Sequence, residues 1–260
     1  MALLEGTIQF TGSLQNLSFY KMRGTNKIVV RKKGGPSRKK VKHSPAFANT
    51  RRNNNEFGGR AKAVRHIKDI LSPLLFLADY NITGPLNALL KPIQEMDGES
   101  DLGKRHILIS KEPRLLEGFT LNRRYLFESI VRTPVSCLMQ KEKGLVTINI
   151  PALIPGINFI VPGNYDWFQF IAVAGPVPDL FFTGTRYRTE GDQWYGPEIA
   201  NTQWLPVNAP AAGSQLTIKP DTAYTSCSTL VGLGIAFGTM QRNDIEPVKY
   251  VGGAKVIGVE

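Results

Sequence analysis

Apolar and polar residues alternate over residues 7–33, with short strand-like runs at 7–10, 17–21 and 27–31. Gly12-Ser13 and Gly24-Thr25-Asn26 separate the runs, which predicts hairpins. A lone hairpin is marginal in water, so this meander is expected to pair with a later sheet or another subunit. Residues 32–43 keep no apolar period and predict an exposed, mobile basic loop. Ser44-Pro45 then signals a helix start, with Ser44 as N-cap and Pro45 in the first turn. Phe57, Ala61, Val64, Ile67 and Leu71 follow at helical spacing, with an expected interruption near residues 53–55 and Gly58-Gly59. Two shorter helices are predicted at 71–77 and 86–96, broken by Pro73, Gly84-Pro85 and Pro92.

The polar, acidic stretch 97–101 suggests a boundary, giving a basic N-terminal region (1–100) and a second domain (101–260). Beyond it the period changes to that of strands, expected at 105–110, 124–132, 145–150, 157–161, 167–174, 180–187, 215–219, 229–239 and 254–259. The fold class is therefore α+β, mainly β: an N-terminal hairpin and short helices, then an antiparallel β-sandwich of Ig-like or jelly-roll type.

Charge sharpens this outline. Residues 21–68 hold sixteen Lys or Arg and one acid, Glu56. That is +15 within a chain of +11, so the remainder sums to −4. Such local excess points to a polyanionic partner, because each cation placed at a phosphate releases a condensed counterion. The candidate contacts are Arg31, Lys32, Lys33, Arg38, Lys39, Lys40 and Lys42, with Arg51 and Arg52 secondary and Phe19 and Tyr20 available for base stacking. No finger or RNA-recognition motif is present, so readout would be of the backbone. The expected partner is nucleic acid or an acidic protein surface, that of a neighbouring copy included, in a homo-oligomer. A basic arm beside a β-sandwich is also the arrangement of small virion coat proteins, an analogy at the level of fold alone.

Residues 10–21, together with Ile28-Val29-Val30-Arg31 and the following Gly34-Gly35-Pro36-Ser37, resemble the opening of a group of bacterial proteins without assigned activity. Ser72-Pro73-Leu74 and Gly234-Ile235-Ala236-Phe237 fit the same pattern. The resemblance implies a Gly-rich hairpin, a basic linker, a helical segment and a β-rich C-terminal half. It implies no activity and no site residues.

Catalytic chemistry has little support. Cys137 and Cys227 match no metal or redox spacing and read as free thiols. His43, His66 and His106 are scattered, no Ser lies in a nucleophile elbow, and neither metal nor cofactor is expected. The glycines of residues 232–238 lack dinucleotide-loop spacing and read as the small-residue face of a strand. Trp194, Tyr195 and Trp204 sit in a Gly- and Pro-rich stretch. They support the alternative, a ligand- or carbohydrate-binding module, against a plainer role as loop anchors. No secretory signal or membrane-length apolar run is seen. A cytoplasmic location, with a virion or other assembled particle as the alternative, is therefore expected.

Overall fold

Short β-branched and aromatic runs close a small antiparallel sheet at the start of the chain. In the computed structural model, which describes residues 2–4, 10–22, 24–191, 196–221, 226–242 and 244–260, its strands are β1 (Ala2–Leu4), β2 (Gly12–Leu14), β3 (Leu17–Lys21) and β4 (Ile28–Lys32). Their order is β1-β4-β3-β2. The expected β3–β4 hairpin forms with Phe19 opposite Val30, while residues 7–9 of the first expected run lie outside the described residues. The strand that completes the meander is β1, a run of three residues too short to carry a period of its own.

Residues 32–43 are not a loop throughout. Ser37 Oγ accepts the Lys40 N–H at 3.2 Å and caps a six-residue helix, α1 (Arg38–His43). The cap satisfies one of the free N–H groups that would otherwise fray so short a helix. Ser44 makes no side-chain cap, and Pro45 opens a single 3-10 turn, Pro45–Phe47. Helix α2 (Ala48–Ile70) follows. Contacts divide the chain into two compact units, Met1–Arg51 and Arg52–Glu260. The acidic stretch 97–101 is a turn inside the second unit.

In the second unit α2 buries Glu56, Gly59, Ala63, Val64, Ile67 and Ile70. The expected stripe holds from Val64 onward, but Phe57 and Ala61 face solvent. The phase differs because Gly59 admits an aromatic ring that Phe57 and Ala61 would not receive. A Cβ on Gly59 would stand 2.7 Å from the Tyr187 ring. Neither the asparagines nor the Gly pair interrupts the helix. A 3-10 turn, Ser72–Leu77, and helix α3 (Thr83–Glu95) follow, and Pro92 lies inside α3 rather than ending it.

The rest is mainly strand: α4 (Phe127–Ile130), then β5 (Ser136–Gln140), β6 (Leu145–Ile150), β7 (Trp167–Pro178), β8 (Phe181–Phe182), β9 (Tyr187–Arg188) and β10 (Glu198–Asn201). β11 (Leu205–Pro206), β12 (Ser214–Ile218), β13 (Cys227–Gln241) and β14 (Asp244–Val259) complete it. The chain is α+β and mainly β, with antiparallel sheets. Three expected strands are absent. Residues 124–132 hold α4, and 105–110 and 157–161 give only isolated bridges, Ile107 to Leu180 and Val131 to Phe159. Residues 180–187 fold back on themselves as the β8–β9 hairpin.

The central sheet runs β10-β7-β13-β14, with β11 also on β7. Side-chain alternation sorts its two faces. Phe168, Phe170, Val231, Leu233, Ile235 and Phe237 meet Val146, Ile148 and Ile218 of a three-stranded sheet, β12-β6-β5. Val173 and Val177 meet the helices on the other side, with Ile67, Leu71, Leu74 and Leu90. Gly232 and Gly234 lie on the helical side, where an added Cβ would come within 2.8–2.9 Å of Leu71, Leu74 or Leu77. The small-residue face read in the sequence is thus what lets the helices approach. Gly234→Val is expected to cost about 2–3 kcal/mol of stability by urea denaturation, through overpacking. Gly98→Ala, which meets open space, should stay within about 0.5 kcal/mol.

Candidate polyanion interface

The first unit carries eleven Lys or Arg against Glu5 alone, a net +10 of the chain's +11. The second unit, with twenty-one cations and twenty acids, is close to balance. Arg31 and Lys32 end β4, Lys33 follows, and Arg38, Lys39, Lys40 and Lys42 are carried by α1. All seven are exposed. None forms an ion pair with a described residue, which is what a cation reserved for an external anion requires. At 100° per residue Arg38 and Lys42 share one face of α1, with Lys39 beside them and Lys40 across the helix. Like charges at i and i+4 repel, so this helix tolerates a local penalty that an anion would remove.

The secondary candidates behave differently. Arg51 is half-buried, and its guanidinium donates to the carbonyls of Val41 and Ser44 at 2.8 and 2.9 Å. It caps the C-terminal end of α1 and is spent on structure. Arg52 belongs to the second unit, where its stem lies against Gly103. Phe19 is not a stacking surface: strand alternation turns it inward, its ring 4.4 Å from Phe10. Tyr20 points the other way, exposed, with the Arg31 guanidinium 5.4 Å from its ring centre. That pair leaves an aromatic face and a cation side by side.

Of the aromatic stretch, Trp194 and Tyr195 lie outside the described residues. Trp204 is half-buried against the helix-side core, and an added Cβ on Gly238 would meet its ring at 3.0 Å. It anchors its loop to the sheet.

A dense polar cluster lies in the second unit. Glu56, 3% exposed, accepts Nε and Nη2 of Arg105, both at 2.7 Å, and the Gly103 N–H at 2.8 Å. Arg60 donates to Asn87 and Gln94, and Gln94 in turn donates to the Arg105 carbonyl and to Tyr187 Oη. Burial, then the Glu56 charge, pushes the Tyr187 phenol up to about 12. Its members satisfy one another, which is how a buried network holds elements in register.

Nucleophile candidates fare no better. Ser110 donates its N–H and its hydroxyl to Asp179, but His106 Nδ1 accepts the Phe182 N–H and no hydrogen bond joins that histidine to Ser110. Cys137 is half-buried and free, and burial, then the Glu117 charge, pushes its thiol up to about 11, far from the thiolate. Among the described residues no group of three or more His, Cys, Asp or Glu could hold a metal ion. Nor is any of their helices long and apolar enough to cross a membrane. Comparison of the chain with protein-family models, with curated proteins and with solved structures found no match in any of the three.

Proposed function

We propose that the chain is a non-enzymatic structural or assembly protein whose N-terminal unit contacts nucleic acid through its phosphates while copies of the chain associate. The observation that carries this reading is the concentration of +10 on 51 residues, seven of whose cations are exposed on α1, the end of β4 and the residue after it, without carboxylate partners among the described residues. Lysines and arginines so placed follow a phosphate backbone without reading bases. Self-association rests on a second observation. Only Phe19, Ile28 and Val29 are buried apolar residues among those described in the first unit, while Leu3, Phe10, Leu14, Leu17 and Met22 stay exposed. A sheet with so little core gains stability by being covered.

Size-exclusion chromatography with light scattering and the 260/280 nm absorbance ratio, at low and high salt, tests both parts. The expected result is a particle larger than one chain with nucleic acid at low salt, and loss of that nucleic acid at high salt. A monomer without nucleic acid at low salt overturns the reading.

A further inference from the structure

The close contact between α2 and the β8–β9 hairpin gathers cations that the arm does not include. Tyr187 is 5% exposed, held against Gly59 and hydrogen-bonded through its hydroxyl to the Arg105 carbonyl. With that ring turned inward, strand alternation sends Arg186 and Arg188 outward together. Both are exposed, and neither forms an ion pair with a described residue. From α2, Lys62 lies three positions beyond Gly59 and donates its ammonium to the Tyr187 carbonyl at 3.1 Å. Arg65 follows one turn later on the same helix face.

Two open clefts share Lys62. One, of about 470 Å³, is lined by Lys62, Arg65, His66 and Asp69. The other, of about 220 Å³, is lined by Lys62, Arg186, Arg188 and Thr189. Asp69 is the one carboxylate in either lining, 3.9 Å from Arg65, so four cations face one anion. His66 Nε2 is one of two buried side-chain N or O atoms among the described residues that find no hydrogen-bond partner. Burial, then the Lys62 charge, pushes the His66 imidazole below its ordinary value, so the positive charge of the clefts comes from the lysine and the three arginines.

We propose that this paired cleft is a second phosphate-binding site, distinct from the arm, that takes the backbone of a single nucleic-acid strand. Two guanidiniums without an ion-pair partner among the described residues suit bidentate contacts to phosphate oxygens, with Lys62 and Arg65 as further point contacts. The site extends the proposed function without resting on it, because the second unit could bind a strand even if the arm did not.

The test measures fluorescence anisotropy of a labelled oligothymidylate with the full chain. The variants are Arg186→Ala with Arg188→Ala, Lys39→Ala with Lys40→Ala, and all four together. The cleft variant is expected to bind about tenfold more weakly at low salt, with the slope of log K against log salt smaller by about 1.4, the value for two single-strand phosphate contacts. Arg186→Lys with Arg188→Lys should restore part of that loss, which a merely structural role would not predict. The four-fold variant should lose the product of the two effects. If the cleft variant binds like the wild type, the proposal fails while the arm reading stands. If only the arm variant is unaffected, the reverse holds. Inorganic tripolyphosphate is the second probe: saturable binding that the cleft variant abolishes, with oligothymidylate unaffected, would overturn assignment to a strand. Both arginines are exposed, so an unchanged melting temperature separates lost binding from lost folding.

Discussion

Lys39→Glu with Lys40→Glu is expected to weaken nucleic-acid binding by about two orders of magnitude at low salt, since two phosphate contacts are lost and two repulsive charges are added. Binding assays with several unrelated sequences should show the same loss in each, because backbone contacts carry no base information. Folding should be unaffected. Both side chains are exposed, the Ser37 cap bonds the Lys40 backbone rather than its side chain, and the new carboxylates relieve like-charge crowding. Binding equal to that of the wild type would remove α1 from the interface.

Glu56→Ala carries the largest expected loss of stability, about 3–5 kcal/mol by urea denaturation, because it strands the Arg105 guanidinium in a mostly buried position. Glu95→Ala, which removes an exposed i,i+4 partner of Lys91 at 3.6 Å whose charge also reaches Arg60 and Arg105, should cost far less, about 1 kcal/mol or less. Burial alone would raise the Glu56 carboxyl. The Arg105 hydrogen bonds and the Gly103 N–H outweigh that and hold it below its ordinary 4.5. Arg105 is raised in turn, chiefly by its hydrogen bonds to Glu56. A depressed carboxyl contributes its full stabilisation above the unfolded value and loses it as pH falls through the folded one. The stability gap between wild type and Glu56→Gln should therefore narrow as pH drops below 4.5. A gap independent of pH would contradict the ion pair.

How much of this was legible depended on whether a residue's role was set locally. Strands β3, β4, β6, β7, β12 and β13 carry continuous apolar or alternating runs, and the change of period after residue 104 marked the β-rich part. The glycines 232 and 234 were read correctly as a close-packing face because a strand pattern surrounds them. The phase of the first half of α2 was not legible, since Gly59 matters through a ring 128 positions further on. Glu56 looked like the lone acid in a basic run, and only the fold brings Arg105 to it. Arg51 counted as one more cation until the carbonyls at the end of α1 took it. Ser37 was a missed signal: a Ser just before a polar run is a cap, and the absence of any apolar period hid the helix. Arg186 and Arg188 had a signal too, an Arg-Tyr-Arg alternation that puts both charges on one side of a buried ring.

The first unit's role reduces to one slope. The dissociation constant of the chain for a labelled duplex should be measured as salt rises from roughly 50 to 200 mM, the range over which counterion release is large. With six to ten phosphates contacted, log K should fall against log salt with a slope of about −5 to −9, independent of sequence. A slope near zero, or no binding at the lowest salt, would contradict the claim that this concentrated positive charge is there to hold phosphates.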